Sequence, residues 1–158
     1  MWHAPPAMPS RARGWRHVSR RTRQRWRSLP RHRSRLARRL TDGHFVTMIE
    51  LVAPRGISVQ SEIDKAKQLF YYGVDVINIP DGPRASARMS AMAMAATLQR
   101  EVGIETVLHY ACRDRNVIGI QSDLLGAWAL GVRNILAVTG DPPKLGNYPD
   151  ATAVFDVD

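Results

Sequence analysis

Four apolar segments of this chain each end at or near a polar residue, and those residues, Glu50, Asn78, His109 and Thr139, fall at intervals of 28, 31 and 30 residues. No other feature restricts the fold as tightly. His44–Val52, Val74–Ile79, Thr106–Tyr110 and Ile135–Val138 read as strands, the last an unbroken apolar run expected to be buried on both faces. Between them lie helical patterns. Ser61–Tyr72 carries Ile63, Ala66, Leu69 and Phe70 on one face and meets Gly73 at its end. A second helix runs from about Ala85 to Val102, before Gly103. A third, with Asp114 as N-cap, places Val117, Ile120, Gln121, Leu124 and Trp128 on one stripe and ends at Gly131. The order β-α-β-α-β-α-β with short loops specifies parallel strands and right-handed crossovers.

A period near thirty residues fits a (β/α)8 TIM barrel, whose strands all point their carboxyl ends at one face. An open doubly wound sheet should show a glycine-rich turn after its first strand. Here Ala53-Pro54-Arg55-Gly56 follows, and no G-x-G-x-x-G occurs in the chain. Closed barrels of this kind take roughly 250 residues. The expectation is therefore an α/β chain holding about the first four βα units of a barrel.

Charge divides the sequence in two. Residues 1–43 contain 13 Arg, no Lys and Asp42 as the sole acid, a net +12; residues 44–158 hold 10 Lys and Arg against 13 Asp and Glu, a net −3. The overall +9 thus belongs to an N-terminal segment, read as a disordered tail or linker through residue 43. Leu29, Leu36 and Leu40 form a short helical stripe within it. A basic arm of this kind would suit nucleic acid or anionic lipid. An Arg-only composition without Lys or Gly-rich repeats lacks the signature of RNA binding, so a linker or leader is the preferred reading. A single cysteine, Cys112, excludes an intrachain disulfide and suits a reducing cytoplasm, and no metal site can be assembled from cysteines. No apolar run approaches the ~20 residues of a membrane span.

Two carboxylates stand where chemistry is expected. Glu50 lies between Ile49 and Leu51, where desolvation would raise its acidity range toward that of a general acid; pairing with Arg55 in a structural role is the alternative. Asp141 follows Gly140 at a strand end and precedes two prolines, a placement with no packing purpose beyond closing a turn. Asn78, His109 and Thr139 add weight by converging on the same face. Arg113-Asp114-Arg115 reads as a solvated helix start, and Met89, Met92 and Met94 as packing. The loop from Leu145 to Asp156 is long enough to bind a ligand or to be disordered.

Several of these segments resemble the methylenetetrahydrofolate reductases, most closely the reductase half of bifunctional homocysteine methyltransferase/methylenetetrahydrofolate reductase proteins. The resemblance runs through Ile49–Gly56, Leu108–Asn116, Gln121–Ala127, Gly131–Leu136 and Thr139–Gly146, and residues 1–43 have no part in it. It implies reduction of 5,10-methylenetetrahydrofolate to 5-methyltetrahydrofolate, with FAD as cofactor and NAD(P)H as hydride donor. It also implies that Glu50 is the acid that opens the folate's five-membered ring to an iminium, and that Asp141 supports that cation beside the flavin. Positions matching Asn78, His109, Thr139 and Gly140 would contact FAD. The family often carries Thr where Asn78 stands, and holds the far end of the dinucleotide with residues beyond the fourth strand. The zinc-binding methyltransferase module is not covered. Alternatives are a non-catalytic fragment or a basic-arm protein binding nucleic acid or an anionic surface. The partners expected are the folate and a second copy joined through open barrel edges, with no membrane and no nucleic acid.

Overall fold

The computed structural model describes residues 33–157. Four strands, β1 (Met48–Glu50), β2 (Val76–Ile79), β3 (Glu105–Ala111) and β4 (Asn134–Val138), form one sheet in the order β1-β2-β3-β4. Every pairing is parallel, with Glu50 opposite Asn78, Asn78 opposite Val107 and His109 opposite Leu136. Helices α2 (Gln60–Tyr71), α3 (Ala91–Val102) and α4 (Val117–Ala129) fill the crossovers. This is the expected alternation, and it makes the chain a partial TIM barrel of four parallel strands joined by three crossover helices.

Alternation along each strand gives the sheet two distinct faces. One carries Ile77, Ile79, Leu108 and Tyr110, buried against Ile63 and Ala66 of α2, Met94, Ala95 and Leu98 of α3, and Ala127 of α4. Met94 is wholly buried and Met89 and Met92 pack at its margin, as expected of side chains that fill irregular gaps. The other face carries Glu50, Asn78, His109 and Leu136. At its amino end Val76 and Val107 bury Leu36.

Leu36 belongs to α1 (Arg35–Thr41), which lies inside the segment read as a disordered tail. Ser34 caps this helix through Ala37 N, and the Glu105 carboxylate accepts from the backbone of Arg35 (3.1 Å) and Leu36 (2.6 Å). Two of its three arginines are tied to the fold. Arg35 donates to the Gly103 carbonyl at 2.6 Å, and Arg39 pairs with Asp75 at 3.3 Å. Folded structure therefore starts upstream of His44, and the tail reading retains only residues 1–32, which lie outside the described residues.

Local boundaries differ from expectation for identifiable reasons. β1 is three residues rather than nine: only Met48–Glu50 pair in register with β2, and beyond them Leu51 N adds a single bond to the Asn78 carbonyl at 3.0 Å. The helix expected from Ala85 starts at Ala91. Positive φ angles at Gly82, Arg84 and Ala85 hold the intervening chain in a 3-10 turn, and the Ser90 hydroxyl caps α3. Asn116 rather than Asp114 caps α4, accepting from Gly119 N at 2.8 Å. β4 is not buried on both faces: Ile135 is 40% and Leu136 47% exposed, because among the described residues β4 is the sheet's edge and no wall stands opposite its inner face. The α4 stripe fails similarly. Trp128 is 61% exposed with the Arg133 guanidinium stacked 3.8 Å over its ring, and only Ile120 of that stripe packs on the core.

Candidate active site

The loops leaving β2, β3 and β4 meet at the carboxyl end of the sheet. Their shared floor is a cleft of about 360 Å3 lined by Pro80, Asp81, Pro83, His109, Val138, Gly140 and Asp141. Three residues singled out from the sequence, His109, Gly140 and Asp141, thus line one cavity. Asn78 is half-buried on the same face as His109, and Glu50 lies opposite Asn78 on β1. Thr139, at the end of β4, turns its carbonyl to β3, where it accepts from Arg113 N at 3.2 Å.

Glu50 needs a correction. All three β1 residues are exposed, Ile49 at 41%, so the desolvation expected from its apolar neighbours is absent. The cause is geometric: the face that carries Glu50 has no opposing strands among the described residues.

Asp141 is held by backbone. Its Oδ2 accepts from Arg84 N at 2.7 Å, tying the loop after β4 to the loop after β2. Arg84 donates from a left-handed conformation (φ 57°), which a non-glycine residue adopts only under constraint. Gly140, at φ 91°, holds a left-handed conformation that would strain any side chain. A Cβ there would lie 3.0 Å from the Ala111 Cβ and 3.2 Å from that of Arg113.

The triplet Arg113-Asp114-Arg115, read as solvated, is the best-connected part of the site. Arg113 is only 5% exposed. Its Nε and Nη2 donate to the two Asp114 oxygens at 2.8 and 2.6 Å, while Nη1 reaches the Asp141 carbonyl (3.2 Å) and the Gly82 carbonyl (3.4 Å). The paired bonds from Arg113 hold the Asp114 carboxyl below the usual carboxylate range, and they outweigh the burial that opposes the Arg113 charge. Arg115 lies 4.5 Å over the Tyr110 ring, donates to Asp81 (2.7 Å) and bonds Asp123 (3.1 Å). Burial, then the hydrogen bond to Asp123, pushes the Tyr110 hydroxyl up. Sequence reading missed this network because charged triplets beside a helix start are usually solvated. No signal in the sequence marks it: Gly82 and Gly140, whose empty Cβ positions face Arg113, follow different strands and meet only in the fold.

The long loop after β4 is bound into the fold. Val154 N donates to the Arg113 carbonyl at 2.9 Å, and the Asp156 carboxylate accepts from Val117 N, the first residue of α4, at 3.1 Å. A second cleft of about 370 Å3 opens behind Arg113, between Ser86–Ser90 and Tyr148. Among the described residues no group of three His, Cys, Asp or Glu could hold a metal ion, and no helix is long and apolar enough to cross a membrane.

Comparison with known proteins agrees with this geometry. Residues 35–156 match the model of the methylenetetrahydrofolate reductase family. The chain is 24% identical over 115 residues to the 5,10-methylenetetrahydrofolate reductase of Pectobacterium carotovorum, covering 70% of this chain and 38% of that protein. It is 27% identical over 85 residues to methylenetetrahydrofolate reductase (NADH) 1 of Arabidopsis thaliana, covering 54% of this chain and 14% of that one. Methylenetetrahydrofolate reductase 2 of Saccharomyces cerevisiae is 39% identical over 51 residues, 32% of this chain and 8% of its own length. The matched segments therefore span well under half of these relatives. The family match begins at Arg35, the first residue of α1, and with four parallel strands and three crossover helices arranged as a partial barrel it assigns the chain: it belongs to the methylenetetrahydrofolate reductase family.

Proposed function

We propose that this chain supplies the strand-end face on which a methylenetetrahydrofolate reductase reduces 5,10-methylenetetrahydrofolate to 5-methyltetrahydrofolate, using FAD and NAD(P)H. The observation that supports it best is the convergence of Glu50, Asn78 and His109 on one sheet face, below the loop that presents Gly140 and Asp141. The cleft suits one end of a flavin dinucleotide. Pro80, Pro83 and Val138 give it apolar walls, and Gly140 lets the main chain approach closely. Asn78, His109, Thr139 and Gly140 would hold the cofactor, which when bound supplies the hydride chemistry.

The two carboxylates divide the remaining work. Glu50 delivers a proton to the folate nitrogen as its ring opens, and Asp141 lowers the energy of the iminium cation that forms. An anion held beside a developing cation is the largest electrostatic lever available. Asp141 is suited to this because Arg84 N fixes its carboxylate before substrate arrives. The partners of this reading are the folate and a second copy of the chain, meeting through the free edges of β1 and β4.

The test is made in a complete eight-unit barrel that carries this segment. Asp141→Asn should slow folate reduction by about a hundredfold or more, while NAD(P)H oxidation changes little, because the carboxylate faces a cation only in the folate half-reaction. Glu50→Gln should leave cofactor reduction intact and stop folate reduction. Equal slowing of both half-reactions in rapid-mixing kinetics would overturn the assignment.

A further inference from the structure

The strand-end loops are held together by one buried guanidinium, and we infer that Arg113 is the positioning residue for Asp141. The inference rests on the reading of Asp141 as the acid that faces folate. Two side-chain and two main-chain hydrogen bonds carry it. Arg113 Nη1 donates to the Asp141 carbonyl at 3.2 Å and to the Gly82 carbonyl at 3.4 Å, so a single nitrogen bridges the loops after β4 and β2. The Arg113 main chain is engaged as well, its N–H with the Thr139 carbonyl and its carbonyl with Val154 N. Both glycines that flank the guanidinium leave it room: a Cβ on Gly82 would lie 2.9 Å from Nη2, and one on Gly140 3.4 Å from Nη1.

The chemistry explains why an arginine is needed. A planar fork satisfies Asp114 with two nitrogens and leaves the third free for two carbonyls. A lysine ammonium carries the same charge but has no rigid plane with which to reach Asp114 on one side and Gly82 and Asp141 on the other. Asp114 is half exposed while Arg113 is buried, so the pair works as an anchored arm: its outer end faces water and its inner end sets the loops. The consequence reaches the acid through one further bond. With the Asp141 and Gly82 carbonyls fixed, Arg84 N lies 2.7 Å from Asp141 Oδ2. Without the bridge, the two loops lose their shared reference and the carboxylate loses its donor.

The readout is solvent exchange at the Arg84 amide, measured by NMR on the 158-residue chain with no flavin or folate present. Arg113→Lys should raise exchange at Arg84 about tenfold or more, the loss expected for one hydrogen bond to a charged acceptor. Amides of Leu98 and Leu108 in the core should keep their wild-type protection, which a role in general stability would not allow. Asp114→Asn, which leaves the guanidinium buried but loosens its clamp, should give a smaller rise at Arg84 alone. Wild-type exchange at Arg84 in Arg113→Lys overturns the inference. If Arg113→Lys also loosens the core, Asp114→Asn decides: a selective rise at Arg84 supports the inference and its absence overturns it. A positive result stands even if Asp141 proves unimportant for folate reduction, so the two claims fail separately.

Discussion

Single residues in this protein are decided by what their neighbours leave free. The place of Asp141 in the strand-end cleft was legible in the sequence because an acid after Gly140 and before two prolines must sit where the fourth strand stops. Arg113 was not, because nothing in the sequence tells a solvated arginine from one whose fork closes over two glycines that follow different strands. Glu50 shows the reverse error: apolar neighbours along the chain imply burial only if something packs against the face they share. The Arg113–Asp114 clamp also has a pH signature. The bonds from Arg113 lower the Asp114 carboxyl below its ordinary 3.8, as bonds from Thr47 lower that of Asp75. A depressed carboxyl stabilises the fold above its unfolded value and loses that contribution as pH falls through the folded one. As pH falls below roughly 4 the unfolded chain binds more protons at these sites, so stability falls with acid. Asp114→Asn should therefore flatten the decline of the thermal midpoint over that interval, and an unchanged slope would show that the clamp adds nothing to the acid response.

Elements were read well where periodicity and caps agreed and poorly where tertiary contacts decided. The helix expected at Ser61–Tyr72 is Gln60–Tyr71, and that expected to end at Val102 does so before Gly103. α1 is the instructive failure. Its composition, arginines around two leucines, says tail, and seven residues cannot hold a helix unaided. What holds it is remote: Glu105 on its first turn, and Val76 and Val107 around Leu36. No local signal could reveal that partnership. Leu36→Ala should cost about 2–3 kcal/mol in urea unfolding, at the lower end of buried leucine truncations because its cluster is small. Deleting residues 1–43 should likewise lower the unfolding midpoint, against the expectation of a dispensable tail. An unaltered midpoint in both variants would mean that α1 only rests on the sheet.

At the scale of the whole molecule, the thirty-residue period correctly announced four parallel strands with helices between them, but it could not say how much of each strand is covered. Parallel sheets are ordinarily buried on both faces. Here Met48, Ile135 and Leu136 are between 39% and 47% exposed on a sheet whose outer strands, β1 and β4, each have one edge unpaired among the described residues. The 158-residue chain by itself should therefore show no folate reduction and should associate as its concentration rises, read by light scattering alongside an activity assay. Turnover by a monodisperse monomer would refute this. The bond between α1 and Glu105 also sets a timetable during synthesis. Arg35 leaves the ribosome 70 residues ahead of its anchor, an interval of about 4–14 s at ordinary translation rates. Over that time a basic, leucine-bearing segment has no strand to rest on. The first described helix to be made must wait for β3, so the amino end of the domain is sealed only after its middle has been translated.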